Sequence, residues 1–401
     1  MIGAGPARRP PRALIFSITV TAIMSNTLIA PAIPDILDDL GISEGSAGVL
    51  VAAAALPGVV VAPLIGLLAD RFGRRALLVP CLTVFGLAGG LAGLAPNFEA
   101  LLACRLLQGV GTAGLINLAV VLIGDHWEGT ERAKVIGQNS AVLTVSIAVL
   151  PPLGGLLTDL GGWRATFLPY WVGLATAAVV LATLPRSERR QVSTGEQLRD
   201  VWSHLRTPRM VAAVSTGMVT FVLIFGLFLT TLPLHLRNEF GVGATGRGIF
   251  LGLPAITSTA AALSVGRLNR RFGARRLVLG ASALFAAAFF VIGTAPLLGL
   301  LAVGSLLYGL GEGVTIPALQ DIVAGTGPAT SRGAVVAVWT GGVRAGQTTG
   351  PLLAGALLGS LGTGGTFVAG ALVAVALFAL LAATGQPEDA AVVPAPPILA
   401  S

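Results

Sequence analysis

Runs of about 20 apolar residues, each long enough to cross roughly 30 Å of hydrocarbon, alternate along this chain with short polar breaks. The first run is Ala13–Ile33. Others follow near 46–69, 76–95, 99–124, 134–158 and 165–184. After a polar stretch, six more lie near 210–233, 246–266, 276–295, 297–321, 333–358 and 363–384. The first run is too long for the apolar part of a signal peptide, has no small-residue cleavage site and precedes many further spans. The pattern predicts an all-α membrane protein of about twelve transmembrane helices.

One polar break organises the rest. In Gly66-Leu-Leu-Ala-Asp70-Arg71-Phe72-Gly73-Arg74-Arg75 the chain must leave the membrane, turn and re-enter. Gly73 can take the backbone angles of a tight turn. Two hundred residues later, Gly266-Arg-Leu-Asn-Arg-Arg271-Phe272-Gly273-Ala-Arg275 matches at Gly, Leu, Arg, Phe, Gly and Arg. The same shift relates Gly109 and Gly111 to Gly309 and Gly311, Arg132 to Arg332, Pro151 to Pro351, Gly155 to Gly355 and Phe167 to Phe367. A constant shift carrying Arg, Pro and Phe predicts two homologous halves. The expected layout is a tail over 1–12, six-helix bundles over 13–185 and 210–385, a linker over 186–209 and a disordered tail over 386–401. In the linker, Ser193-Thr-Gly-Glu196 fits a capping box, and Leu198, Val201, Trp202 and Leu205 share one helical face. That segment is either a short surface helix or a plain tether.

Composition narrows the function. With 54% hydrophobic and 11% charged residues, a soluble protein is excluded. The net charge of +7 sits in short loops without interleaved aromatics, which excludes a nucleic-acid binder. Arg164, Arg237 and Arg247 lie on one face, Arg105 and Arg344 lie inside spans, and the other twenty of the 25 Lys and Arg lie on the face of the termini. This bias predicts a multi-pass protein of the plasma membrane with both termini cytoplasmic. Cys81 and Cys104 read as packing residues. His126, His204 and His235 fall at loops and form no metal spacing, and no phosphate-binding Gly-Lys-Ser/Thr loop occurs. No enzyme, metal or cofactor is expected.

Charges deep in the apolar runs need partners or water, since each costs at least about 2.5–3.5 kcal/mol on insertion scales. Arg105, Glu312 and Arg344 are the deepest. At 1.5 Å per residue, Glu312 lies about 13 Å and Arg344 about 16 Å from the same face, on consecutive antiparallel helices. Their depths predict an ion pair. It would serve either as a proton site, with Arg344 tuning Glu312, or as a permanent structural link. Ser17, Thr21 and Ser25 form a polar stripe on helix one, with Asn26 beside it, and face either the cavity or another helix. Gln108 and Asn117 on helix four, Phe221, Phe225 and Phe228 on helix seven, and Trp339 and Gln347 on helix eleven are further cavity candidates. The phenylalanines serve equally well as packing.

The chain resembles the major facilitator superfamily of transporters over essentially its full length. Gly66 to Arg75 resembles that family's loop between helices two and three. Arg105-Leu-Leu-Gln108-Gly109-Val-Gly111 resembles its fourth-helix motif, and Trp163-Arg164-x-x-Phe167 a pattern at its sixth helix. The resemblance implies two six-helix bundles around a cavity lined by helices one, four, seven and ten, which rock to give alternating access. The subgroup nearest in pattern is the twelve-helix drug and metabolite exporters. Their Gly-x-x-x-Gly-Pro-x-x-Gly-Gly motif stands here as Ser146-x-x-x-Leu150-Pro151-Pro152-Leu-Gly154-Gly155, without the two leading glycines. By the same resemblance Arg105 contributes to proton coupling or to an interior hydrogen-bond network. Asp70, with Arg71, Gly73, Arg74 and Arg132, forms a latch that steadies the outward-open state; the alternative is a solvated charge that only fixes topology. The implied function is export of small amphipathic compounds in exchange for protons. Uncoupled movement of a neutral metabolite or sugar, and a membrane sensor on the same scaffold, are the alternatives. The expected partners are a small-molecule substrate, protons and the lipid bilayer, with a monomer as the default.

Overall fold

A computed structural model of the chain describes residues 9–185, 208–325 and 332–383. These form helices joined by short turns. The first six are α1 (Arg12–Asp39), α2 (Ala47–Phe72), α3 (Arg74–Ala92), α4 (Phe98–His126), α5 (Gly129–Gly161) and α6 (Trp163–Thr183). The second six are α7 (Met210–Phe240), α8 (Ala244–Phe272), α9 (Ala274–Thr294), α10 (Leu298–Gly325), α11 (332–361) and α12 (363–383). The last two run on almost continuously, broken at Gly362 with φ 65° and ψ −176°. The expected linker helix and the tail from 386 lie outside the described residues. Residues 9–12 and 383 mark what is called here the terminal end; the opposite one is the distal end.

The duplication is legible in the backbone. The turn between α2 and α3 hinges on Gly73 at φ 89°, and that between α8 and α9 on Gly273 at φ 77°. Only glycine takes such angles without steric cost. Gly41 and Gly241, and Gly162 and Gly362, are two more positive-φ pairs at the same shift. Arg75 donates to the Leu184 carbonyl at 3.0 Å and Arg275 to that of Leu381 at 3.0 Å. Each arginine ties the start of its helix to the end of the sixth in its bundle. Helices one and seven are irregular at equivalent places. α1 leaves regular geometry after Thr27, through a tight turn at Ala30–Ala32 that contains Pro31 and is followed by Pro34, and continues to Asp39 rather than stopping at Ile33. α7 widens over Ile224–Thr231, where Thr230 and Thr231 bond back five residues to Phe225 and Gly226. Proline removes a backbone donor, and such widened turns recur at functional sites.

Two helix pairs form the seam between the bundles: α2 against α11 and α5 against α8. Their contacts are backbone on backbone. Gly48 faces the Pro351 carbonyl, and Gly248 the Pro151 carbonyl. Gly355 faces the Gly45 carbonyl, and Gly155 the Ala244 carbonyl. The first contact reappears in the other pair at a shift of 200, and the second within one residue of it. Helices in lipid gain by close van der Waals approach rather than by burying surface from water, so small residues line such seams.

Buried apolar side chains follow the same division. At the distal end one cluster spans both bundles, from Leu28, Ile33 and Phe85 to Leu232, Phe285 and Phe367. At the terminal end there are two clusters. One, around Ile18, Leu78 and Leu122, belongs to the first bundle; the other, around Met210, Val278 and Leu319, belongs to the second. Among the described residues, the buried apolar core is continuous between the bundles at the distal end and split in two at the terminal end.

A Cβ on Gly248 would overlap the Pro151 backbone. Gly248→Val is therefore expected to destabilise the folded protein in detergent by about 1–3 kcal/mol, measured as the midpoint of thermal unfolding. Gly266, with open space around it, is the control, and Gly266→Ala is expected to leave the midpoint unchanged.

Candidate functional site

A guanidinium inside a bilayer needs every donor it can place. Arg105 on α4 has 0% of its surface exposed. It donates to the Ser25 carbonyl at 2.7 Å, to the Gln108 side-chain oxygen and to the Asn26 side-chain oxygen. Tyr170 on α6 donates to the carbonyls of Met24 and Ser25 at 3.0 and 3.2 Å. The tyrosine ring is held edge-on by Phe85 and packs on Phe167. Arg105, Gln108, Ser25 and Asn26, which the sequence named separately, are thus one cluster. It fastens α1 to α4 just before α1 breaks.

The rest of the expected polar stripe on α1 is not equivalent. The Ser17 and Thr21 hydroxyls turn back to carbonyls of their own helix. Thr19, on another face, donates to Asn139 at 2.7 Å inside the bundle. On α4, Asn117 is exposed one turn from Ala113, whose carbonyl takes a hydrogen bond from the second bundle. Residues four apart share a helix face, so Asn117 borders the space between the bundles.

In the second bundle the expected Glu312–Arg344 ion pair is absent among the described contacts. Arg344 donates to Gln347 at 3.2 Å and, across the seam, to the Ala113 carbonyl at 3.3 Å. Gly58 on α2 lies beside it; a Cβ there would come within 3.4 Å of the arginine's side chain. Glu312 instead engages Tyr308. The Tyr308 ring stacks on Phe228 with centroids 4.0 Å apart and an angle of 3°. Equal depth did not imply contact, because α9 packs extensively against both α10 and the α11–α12 segment, which touch each other far less. Phe228 is therefore a packing residue, while Phe221 and Phe225 pack on each other, half-buried. Trp339 is buried beside Gly217 of α7, and its ring N–H has no partner among the described residues.

The distal end carries a second set of groups that sequence reasoning noticed only as isolated arginines. Arg247 on α8, 2% exposed, pairs with Asp35 on α1. Arg237 on α7 pairs with Asp38 and donates to the Pro34 carbonyl at 3.0 Å. Asn238 donates to Glu44 at 2.8 Å. The Asp159 carboxylate, ending α5, accepts from the backbone N–H groups of Ala244 and Thr245 at 3.2 and 2.9 Å. A carboxylate at a helix amino end also meets the favourable pole of the helix dipole. All of these bonds cross from one bundle to the other. The third distal arginine, Arg164, stays within its own bundle on Asp39 at 2.6 Å. A signal was present in the sequence: Asp35, Asp38 and Asp39 follow a proline pair at the end of the first span.

At the terminal end, Arg74 pairs with Asp125 at 3.2 Å, and Arg71 lies over the Phe72 ring. Arg132 is exposed and passes over Gly124. Arg9 and Arg12 share Glu131. The side chain of Asp70, the acid of the expected latch, lies outside what the structure describes. One histidine differs from expectation. His235 is in α7, not in a loop, and is buried between the Thr363 hydroxyl and the Ile292 carbonyl at 2.9 and 3.0 Å.

Comparison with known proteins agrees with this architecture. The model of the Major Facilitator Superfamily matches residues 15–245 and 214–399. A chloramphenicol resistance protein of Streptomyces lividans is 29% identical over 391 residues, covering 94% of this chain and 98% of that protein. The multidrug transporter protein MdtP of Bacillus subtilis (strain 168) is 23% identical over 366 residues, covering 76% of this chain and 67% of MdtP. A crystal structure of a bacterial homolog of the human lysosomal transporter Spinster, in an inward-facing and occupied conformation, superposes with a TM-score of 0.75 at 18% identity. It covers 95% of this chain and 98% of that one.

Loss of the distal pairs is expected to loosen that end. Replacing both acids, Asp35→Asn with Asp38→Asn, should cost the distal-closed state about 1–3 kcal/mol, a five- to 150-fold change in population. Spin labels at Ser43 and Gly243, in a background without Cys81 and Cys104, read this directly. The wild type should give a short distance, and the double variant a second, longer one.

Proposed function

Since the chain belongs to the major facilitator superfamily, we propose that it exports small amphipathic compounds by alternating access, in exchange for protons. The observation that carries this reading is the contrast between its two ends. Ion pairs and a shared apolar core join the bundles distally, while the cores are separate at the terminal end. Twenty of the 25 Lys and Arg belong to the terminal side, so that side is taken as cytoplasmic. The conformation is then open to the cytoplasm, ready to load an export substrate. The names of the relatives, a chloramphenicol resistance protein and a multidrug transporter, support efflux of drug-like compounds.

In this reading Glu312 is the proton carrier. It is the one carboxylate inside a span away from the helix ends among the described residues, and Tyr308 is its partner. A carboxyl group at that depth exchanges its proton most readily when the cavity around it fills with water, which differs between the two states of the transporter. Arg344 reports on the same change from across the seam, because its bond to the Ala113 carbonyl holds only while α4 and α11 stay together. Arg105 keeps α1 and α4 moving as one body. The turn around Asp70 is the counterpart of the distal pairs: a clasp that fastens the cytoplasmic end once it has closed.

Expression in an efflux-deficient cell should raise the chloramphenicol concentration that stops growth. Purified wild-type protein should release protons on binding the drug, and Glu312→Gln should abolish that release while still binding. Release that persists in Glu312→Gln would move the proton site elsewhere, and export without any release would make the protein an uncoupled facilitator. Asp70→Asn is expected to slow export several-fold with normal membrane abundance; unchanged export would remove the clasp.

A further inference from the structure

The interior of the bundles is short of negative charge. Among the described residues, the charged side chains inside the spans away from their ends are Arg105, Glu312 and Arg344. Neither guanidinium has a carboxylate partner there. Arg105 donates to a carbonyl and two amide oxygens, and Arg344 to an amide oxygen and a carbonyl. Two guanidiniums against one carboxylate leave a net positive charge, which grows when Glu312 takes up a proton.

An independent observation points the same way. Among the described residues, the buried side-chain atoms that lack a partner are the N–H groups of Arg105 (Nε), Gln108 (Nε2), Arg247 (Nε) and Trp339 (Nε1), and the hydroxyls of Ser25 and Ser305. No carboxylate or amide oxygen is among them. The N–H groups can only donate, while the two hydroxyls can donate or accept, so the unused capacity is mainly for donating hydrogen bonds, and buried donors left unmade carry a cost that a ligand's acceptors remove.

Arg344 is the group placed to use this. Its bonds to Gln347 and to the Ala113 carbonyl, at 3.2 and 3.3 Å, are long for a guanidinium. Gly58 leaves the side of its guanidinium uncovered by any side chain of its own. We propose that the exported compound is recognised through an acceptor oxygen, as a carboxylate, sulfonate, nitro or enolate group, that takes Arg344 from the Ala113 carbonyl, and that organic cations are excluded. The inference rests on the export reading and gives it a substrate class: neutral or anionic amphipathic molecules rich in acceptors. It also ties loading to motion. The oxygen that Arg344 gives up belongs to the other bundle, so an occupied site has one fewer bond across the middle of the seam.

Two dyes with one ring system separate the possibilities: fluorescein, an anion at neutral pH, and rhodamine 6G, a cation. Binding is read by fluorescence polarisation with the full chain in lipid nanodiscs, against empty nanodiscs. Fluorescein should bind saturably and be displaced by chloramphenicol, while rhodamine 6G should neither bind nor displace it. Arg344→Gln should weaken fluorescein about tenfold or more, and Arg344→Lys should recover part of the loss. Rhodamine 6G binding as tightly as fluorescein, no saturable fluorescein binding, or an affinity indifferent to Arg344→Gln would each overturn the proposal. The wild-type comparison decides even if a variant fails to fold. Binding is measured without transport, so a chain that binds fluorescein through Arg344 but exports nothing would sink the export reading and leave this one standing.

Discussion

Backbone contact without intervening side chains is the constraint on which the rest of this structure depends. At Gly48, Gly155, Gly248 and Gly355 one bundle lies against carbonyls of the other. Lipid offers helices little hydrophobic reason to associate, so proximity itself supplies the attraction. Dispersion falls off steeply with distance, which makes these seams either closed or lost. Two rigid bodies joined in this way at one end are suited to rocking, because little is gained at intermediate separations. The same proximity brings Asp35 and Asp38 within reach of Arg247 and Arg237, and Asp159 within reach of two backbone amides.

The frame is duplicated but the chemistry is not. Turn glycines, seam glycines, prolines and the arginines that tie helix three or nine to the end of its bundle all recur 200 residues apart. Against this, Arg105 corresponds to Ser305, Gln108 to Tyr308, Thr112 to Glu312, Thr144 to Arg344 and Asp35 to His235. Symmetric packing gives the two bundles matching seams. The first bundle holds an arginine that braces helices, and the second holds the carboxylate and the arginine that reaches across.

Much of the fold was legible because its signals are one-dimensional. Span length, charge bias and a fixed shift between repeats need no knowledge of azimuth, and the twelve helices and two bundles follow from them. The Arg105 cluster was partly legible, since Gln108 lies one turn on along the same helix and Asn26 beside Ser25 on another. Tyr170 was not, because an isolated tyrosine in an apolar run carries no spacing signal. The Glu312–Arg344 pairing failed for a related reason. Depth along a helix can be counted from the sequence, but the direction a side chain points depends on which neighbours the helix packs against. The distal pairs were hidden because they join residues about 200 positions apart, at helix ends where charges look like ordinary solvated ones.

The amide hook made by Asp159 has no counterpart in the repeat. Gly359 stands at the equivalent position, with nothing near it that a side chain would touch. The α5–α8 seam is therefore both packed and anchored by a carboxylate on a helix end, whereas among the described residues no side-chain hydrogen bond joins α2 to α11. Two fasteners of unequal strength do not release together. If the bundles rock as proposed, the α2–α11 side is the one expected to part first, with α5 and α8 as the hinge, so that the distal opening begins as a lateral cleft rather than a central pore.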